Sequence, residues 1–129
     1  METTTGMILL AEGDPVLRDL IVAALGRLFP GCQMITAGNG QEALALAGRH
    51  RPQLLLIDLL LPQLNGLEVM RQVRDQTRGD PAPIIAISAL GFHEVVQQAV
   101  SAGAVDFLVK PFDVNLLASK VQRALAREI

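Results

Sequence analysis

An α/β fold built on one open, doubly wound parallel sheet is what this sequence predicts, and three observations carry the prediction. Short apolar runs alternate with stretches of helical period along the chain. Three of these runs end in polar residues: residues 54–57 in Asp58, residues 83–87 in Ser88, and residues 105–109 in Lys110 and Pro111. The 129 residues suit a single domain, 1–129, that needs no disulfides to hold its core.

Strands are expected at residues 7–11, 32–37, 53–58, 83–88 and 105–109. Between the first two, Leu17, Leu20, Ile21, Ala24, Leu25 and Leu28 recur at helical spacing and form one apolar face. Asp14 followed by Pro15 opens this helix, the carboxylate as N-cap and the proline at the first helical position, where its missing N–H costs nothing. A second helix spans residues 41–50 and stops at Arg51 and Pro52. Asn65 and Gly66 turn the chain into a third helix with Leu67, Met70 and Val73 inward.

Residues 75–83, rich in charge, glycine and proline, form the loop before the fourth strand. The fourth helix, residues 92–102, ends at Gly103, a favourable residue just past a helix end. The last helix, residues 113–127, turns Val114, Leu117, Val121 and Leu125 to the sheet. Lys120, Arg123 and Arg127 lie on its other face, read first as solvated surface and, more sharply, as a docking surface. With no internal repeat, low-complexity tract or linker, the chain reads as five β-α units.

The net charge is −2 and the basic residues are scattered, so direct nucleic-acid binding is not expected. The apolar stretch 54–61 is broken by Asp58 and falls far short of the ~20 residues that a membrane span needs. Residues 1–6 carry no signal-peptide pattern, and the expectation is a soluble, cytoplasmic protein. The single Cys32 cannot form an intrachain disulfide and sits in a predicted strand, as an inert buried thiol in a reducing compartment. His50 and His93 have no ligand set around them and are read as surface residues.

Open doubly wound sheets bind ligands beyond the carboxyl ends of their strands. The candidates there are Glu12 and Asp14 after strand one, Asp58 after strand three, Ser88 after strand four and Lys110 after strand five. A carboxylate can act as a nucleophile and form an acyl phosphate, while magnesium and a lysine meet the charge on the transferring group. Asp58 is the expected nucleophile, and Glu12, Asp58 and the backbone carbonyl of Leu60 are the expected Mg²⁺ ligands. Lys110 would pair first with Asp58 and then with a phosphate oxygen, and the Ser88 hydroxyl and Ala89 N–H would bind the others. Pro111 is expected to be cis in its tight turn, aiming Lys110 into the cleft.

These residues resemble those of the receiver domains of bacterial two-component response regulators. Residues 8–15 look like the first strand with its acidic cluster, 58–66 like the phosphoacceptor and its loop, 84–89 like the strand ending in a hydroxyl, and 103–112 like the Gly-Ala-x-Asp-Phe-x-x-Lys-Pro-Phe segment. The resemblance covers essentially the whole chain. It implies a flavodoxin-like sheet of strand order 2-1-3-4-5, phosphorylation of Asp58 by a histidine kinase or phosphotransfer protein, and dependence on magnesium. It implies a signalling module, catalysing at most its own aspartyl phosphorylation and dephosphorylation, that acts by contact with a downstream protein or an output domain. It also implies a switch in which Ser88 moves toward the phosphate and Phe107 changes rotamer; without a hydroxyl, Phe107 would act by packing alone.

The sequence departs from the family where two adjacent acids are usual, reading Glu12, Gly13, Asp14, Pro15. Gly13 offers no side-chain oxygen, so magnesium should bind more weakly unless Asp14 turns inward or water completes the shell. Leu60 and Leu90 flank the approach of hydrolytic water, and two apolar side chains there predict a long-lived phosphoryl group. The alternative reading is a degenerate receiver that is not phosphorylated and serves as a constitutive docking module, with Gly13 as its evidence. A flavin or nucleotide binder is the weakest reading, since the chain has no Tyr or Trp and no G-x-x-x-x-G-K-[ST] loop. A homodimer through helix four, strand five and helix five, with Asp106 and Arg123 pairing across a two-fold, is a further expectation. A stand-alone regulator and a piece of a longer protein both fit the sequence.

Overall fold

A computed structural model describes residues 6–77 and 79–126 of the protein. The order of elements is β1 (Gly6–Ala11), α1 (Pro15–Leu28), β2 (Cys32–Ala37), α2 (Gly40–His50), β3 (Leu54–Asp58), α3 (Gly66–Gln76), β4 (Ile84–Ser88), α4 (His93–Ser101), β5 (Asp106–Val109) and α5 (Val114–Ala126). All strand pairs are parallel, in the order β2-β1-β3-β4-β5. This is the flavodoxin-like doubly wound sheet that the sequence predicts. Its register aligns Ala11 with Ile57, Asp58 with Ile87 and Ser88 with Val109, so the chemically interesting strand ends fall at one edge.

Side chains alternate between the faces, and each face has its own core. On one side Leu9, Leu55, Ile57 and Ala86 pack with Ala43, Val69, Met70 and Ala99 of α2, α3 and α4. On the other, Ile8, Leu10, Leu56 and Ile87 pack with Ile21, Leu25, Leu117 and Val121 of α1 and α5. Central strands β3 and β4 are buried throughout, which is why their sequence reads as continuous apolar runs. Each fully buried Leu or Ile contributes about 1.5–3 kcal/mol, so this double core holds the polar edge rigidly in place.

Local signals set the helix starts. Asp14 Oδ1 accepts from the Val16 N–H at 2.9 Å with Pro15 in the first turn, and Asn65 caps α3 by accepting from the Glu68 N–H at 3.0 Å. Asn39 caps α2 in the same way, accepting from the Glu42 N–H at 2.8 Å. Gly103 follows the α4 C-cap with φ 114°, a conformation that favours glycine.

The apolar faces of α1 and α5 are narrower than their spacing suggests. Leu20 and Leu28 are 62% and 47% exposed. Leu20 lies about 100° around the helix from Ile21 and so off the buried stripe, while at the last turn Phe29 turns inward instead of Leu28. Val114, the first residue of α5, is exposed; Ala124 joins Leu117 and Val121 in the core, with Leu125 packed partly against it. Lys120 is not a solvated surface charge, because its Nζ lies 2.6 Å from Asp106 Oδ1. Arg123 approaches the same carboxylate at 3.8 Å, so the Asp106–Arg123 contact expected across a dimer is formed within the chain. Arg127 lies outside the described residues.

Burial raises the Asp106 carboxyl, but the Lys120 and Phe107 hydrogen bonds and the Lys120 and Arg123 charges outweigh it and hold the group below its usual range. Cys32 is half-buried and in no disulfide, and burial pushes its thiol up, which keeps thiolate scarce at neutral pH. His50 and His93 are exposed. Among the described residues no helix is long and apolar enough to cross a membrane.

Candidate functional site

Among the described residues only three polar side chains are fully buried, Glu12, Asp58 and Ser88, and all three stand at the carboxyl edge of the sheet. Asp58 ends β3, Ser88 ends β4, and Glu12 follows β1, its N–H held by the Ala37 carbonyl at the end of β2. Lys110, one residue beyond β5, reaches across them: its Nζ lies 2.5 Å from Asp58 Oδ2 and 2.9 Å from Glu12 Oε1. The Lys110–Pro111 peptide bond is cis.

The remaining lone pairs are used locally. Asp58 Oδ1 accepts from the Leu60 N–H at 2.9 Å, Ser88 Oγ from the Leu90 N–H at 3.0 Å, and Glu12 Oε2 from the Asp14 N–H at 3.0 Å. Glu12 Oε1 is the exception, buried with no directed hydrogen bond despite its nearness to Lys110. Burial raises the Glu12 carboxyl above its usual range, and the Asp14 N–H and Lys110 offset this only in part. Burial works against the Lys110 ammonium, but its hydrogen bond to Asp58 and its ion pair with Glu12 prevail and raise it.

Two buried carboxylates facing one ammonium leave a site that, with both ionised, carries one excess negative charge and one carboxylate oxygen short of a partner. That donor set, all oxygen and anionic, fits a hard divalent cation such as magnesium. Glu12 and Asp58 are its side-chain members; no group of three or more His, Cys, Asp or Glu able to hold a metal occurs among the described residues. Gly13 is not imposed by packing, because a Cβ there would meet Pro62 Cδ at 3.4 Å and the Gly38 carbonyl at 3.7 Å, ordinary contacts. Asp14 is exposed, and its carboxylate caps α1 instead of turning inward.

The other expected residues surround this centre. Ala89 is exposed just past Ser88 and lines, with Asp14, Lys110, Pro111, Leu20 and Phe112, a recess of about 500 Å³. Leu60 and Leu90 are exposed. Phe107 is half-buried against the α2–α3–α4 core, paired in register with Ala86, two residues before Ser88. Gly66 is demanded by a close approach: a Cβ there would overlap the Asp58 carbonyl, so α3 begins directly against the end of β3. Arg18, which no motif marks, donates from Nη1 to the Glu12 carbonyl at 3.0 Å. Its only sequence signal is place, four residues after the cap and so on the helix face that looks back at the loop.

Known proteins resemble this chain in sequence and fold. The family model of the response regulator receiver domain matches residues 8–122. Response regulator MprA of Mycobacterium leprae is 35% identical over 120 residues, covering 93% of this chain and 51% of that protein. A 14.6 kDa protein of Leptolyngbya boryana is 36% identical over 124 residues, covering 95% and 93% respectively. The chain spans about half the length of several of the curated relatives that it matches. Among solved structures, the receiver domain of a Pseudomonas aeruginosa sensor histidine kinase, with a magnesium ion coordinated in its active-site cleft, superposes with TM-score 0.85 at 34% identity, covering 95% of this chain and 98% of that one. The buried acids, the lysine over them and the β2-β1-β3-β4-β5 sheet thus sit in a chain that belongs to the response regulator receiver domain family.

Proposed function

We propose that Asp58 is the phosphoacceptor of a signalling receiver and that Lys110, the Ser88 hydroxyl and the Ala89 N–H form its phosphate site. The observation that carries this reading is the burial of Glu12, Asp58 and Ser88 together at one sheet edge, with Lys110 across both acids. Buried charge is costly and an apolar replacement is often more stable, so a clustered, buried polar set points to chemistry.

In the transfer, an Asp58 carboxylate oxygen attacks the phosphorus of a phosphohistidine on a histidine kinase or phosphotransfer protein. The new O–P bond forms as the donor's N–P bond breaks, and the imidazole leaves with that electron pair. Lys110 already contacts Asp58 Oδ2, so a small movement brings its ammonium onto a phosphoryl oxygen. Ser88 Oγ now accepts from the Leu90 N–H, which leaves its own proton available to donate to another phosphoryl oxygen. Magnesium, held by Glu12, Asp58 and the Leu60 carbonyl, would supply positive charge against the charge on the transferring group.

The added charge, about −1.5 to −2, biases the chain toward a state in which Ser88 and Phe107 shift and the face of α4, β5 and α5 is remodelled. That face passes the signal to a downstream protein or to an output domain, the latter in keeping with relatives about twice this length. Exposed Leu60 and Leu90 cannot orient a hydrolytic water by hydrogen bonding, so phosphoryl-Asp58 is long-lived. A cytoplasmic location follows from the phosphodonor. A homodimer through the same face would use groups other than Asp106, which Lys120 already holds.

Gly13 supports a second reading, a degenerate receiver that is not phosphorylated and docks its partner constitutively. Amide NMR with and without a small phosphodonor in magnesium separates the two. A working receiver shows shifts at Ser88, Phe107 and along α4 and α5; a constitutive module shows an unchanged spectrum.

A further inference from the structure

The backbone of the loop that carries Glu12 is held on both sides of Gly13, at the N–H and carbonyl of Glu12 and of Asp14. The Glu12 N–H donates to the Ala37 carbonyl, the Asp14 N–H to Glu12 Oε2, the Val16 N–H to Asp14 Oδ1, and the Arg18 N–H to the Asp14 carbonyl. The last bond in this set comes from a side chain: Arg18 Nη1 donates to the Glu12 carbonyl at 3.0 Å. The same guanidinium lies over Gly38, where an added Cβ would stand 3.1 Å from Nη1. Arg18 therefore bridges the loops after β1 and β2, and the absence of a side chain at Gly38 makes room for it.

No carboxylate among the described residues is within ion-pairing distance of Arg18, so its fixed partner is the Glu12 backbone. Gly13 has the greatest backbone freedom of any residue, and its neighbour Glu12 must keep Oε1 beside Lys110. The Asp14 N–H bond to Glu12 Oε2 spans the glycine from within the loop, and the Arg18 bond adds a restraint on the Glu12 backbone from outside it.

We propose that Arg18 is a positioning residue for the acidic site: by holding the Glu12 carbonyl while lying over Gly38, it sets the Glu12 carboxylate and thereby the magnesium affinity of a site with one side chain fewer than is usual. This rests on the receiver reading given above. It predicts that two unrelated changes, loss of the guanidinium and a Cβ that presses on it, act through one contact.

The test is an Mg²⁺ titration followed by amide NMR on wild type, Arg18→Met, Arg18→Lys, Gly38→Ala and the Arg18→Met/Gly38→Ala double variant, with thermal unfolding recorded for each. Outer contacts of metal ligands commonly change affinity by about 10- to 100-fold, so Arg18→Met should weaken binding by about tenfold or more. Gly38→Ala should weaken it less, Arg18→Lys should recover part of the loss, and the double variant should match Arg18→Met alone. Folded Arg18→Met with wild-type affinity, or a double variant in which the two losses simply add, would overturn the proposal while leaving the receiver reading intact. Wild type that binds magnesium no better than Glu12→Gln would overturn both. Should Arg18→Met not fold, Arg18→Lys and Gly38→Ala decide together, and unchanged affinity in both overturns the clasp.

Discussion

Replacing Lys110 with methionine removes the one cation between two buried carboxylates and keeps most of the side-chain volume. Glu12 Oε1 and Asp58 Oδ2 lie 2.9 and 2.5 Å from the same Nζ, hence no more than about 5.4 Å apart, and at an effective dielectric near 20 their mutual repulsion is at least about 3 kcal/mol. Breaking a buried pair by removing one partner typically costs about 3–5 kcal/mol, in agreement. Urea unfolding in EDTA, followed by far-UV circular dichroism because the chain has no Trp or Tyr, should place the variant's midpoint about 2 M below wild type at pH 7.5.

The pH dependence has a definite sign. An acid whose folded pKa is raised, as burial already raises Glu12, contributes stability that is present below the unfolded carboxyl range and lost as pH rises through the folded value. Without Lys110 that loss deepens, so the gap between variant and wild type should narrow from pH 7.5 to pH 5. A variant within about 1 kcal/mol of wild type at pH 7.5, with a gap independent of pH, would refute the reasoning.

Gly66→Ala forces a Cβ onto the Asp58 carbonyl and should cost about 2–3 kcal/mol in urea unfolding while slowing phosphoryl uptake; full stability and normal uptake would contradict the close approach. Asp106→Asn should cost about 1 kcal/mol at neutral pH through its contacts with Lys120. Because the folded Asp106 carboxyl lies below its unfolded value, its contribution is present above the unfolded range and lost as pH falls through the folded one. The stability difference between wild type and Asp106→Asn should therefore shrink in acid, and a difference that grew there would count against the pairing.

The parts of the molecule legible in the sequence are those encoded locally. Residues 54–58 and 84–88 read as strands because both faces of the sheet are covered, and Asp14 and Asn65 read as helix starts because capping is a contact between neighbours in sequence. Asp58, Ser88 and Lys110 could be brought to one edge on paper because parallel strands all present the same end. What escaped depends on tertiary placement. Leu20 and Leu28 fit the helical period, yet which part of α1 meets the sheet is decided by packing. Lys120 looked like any outer-face lysine until β5 put Asp106 beside it, and Arg18 has no pattern that announces a bond to a backbone carbonyl. Asn39 stands between two glycines, a pattern that suits a turn as well as a helix cap, and only the bond from the Glu42 N–H decides between them.

The most direct test of the central claim is intact mass after incubation with a small phosphodonor, with and without magnesium, on wild type, Asp58→Asn and Gly13→Asp. The site geometry predicts a single phosphoryl adduct on wild type, absent in Asp58→Asn, and gained faster in Gly13→Asp, whose new Cβ has room. No adduct on wild type under any magnesium concentration, or an adduct that persists in Asp58→Asn, would contradict the claim that Asp58 receives the phosphoryl group.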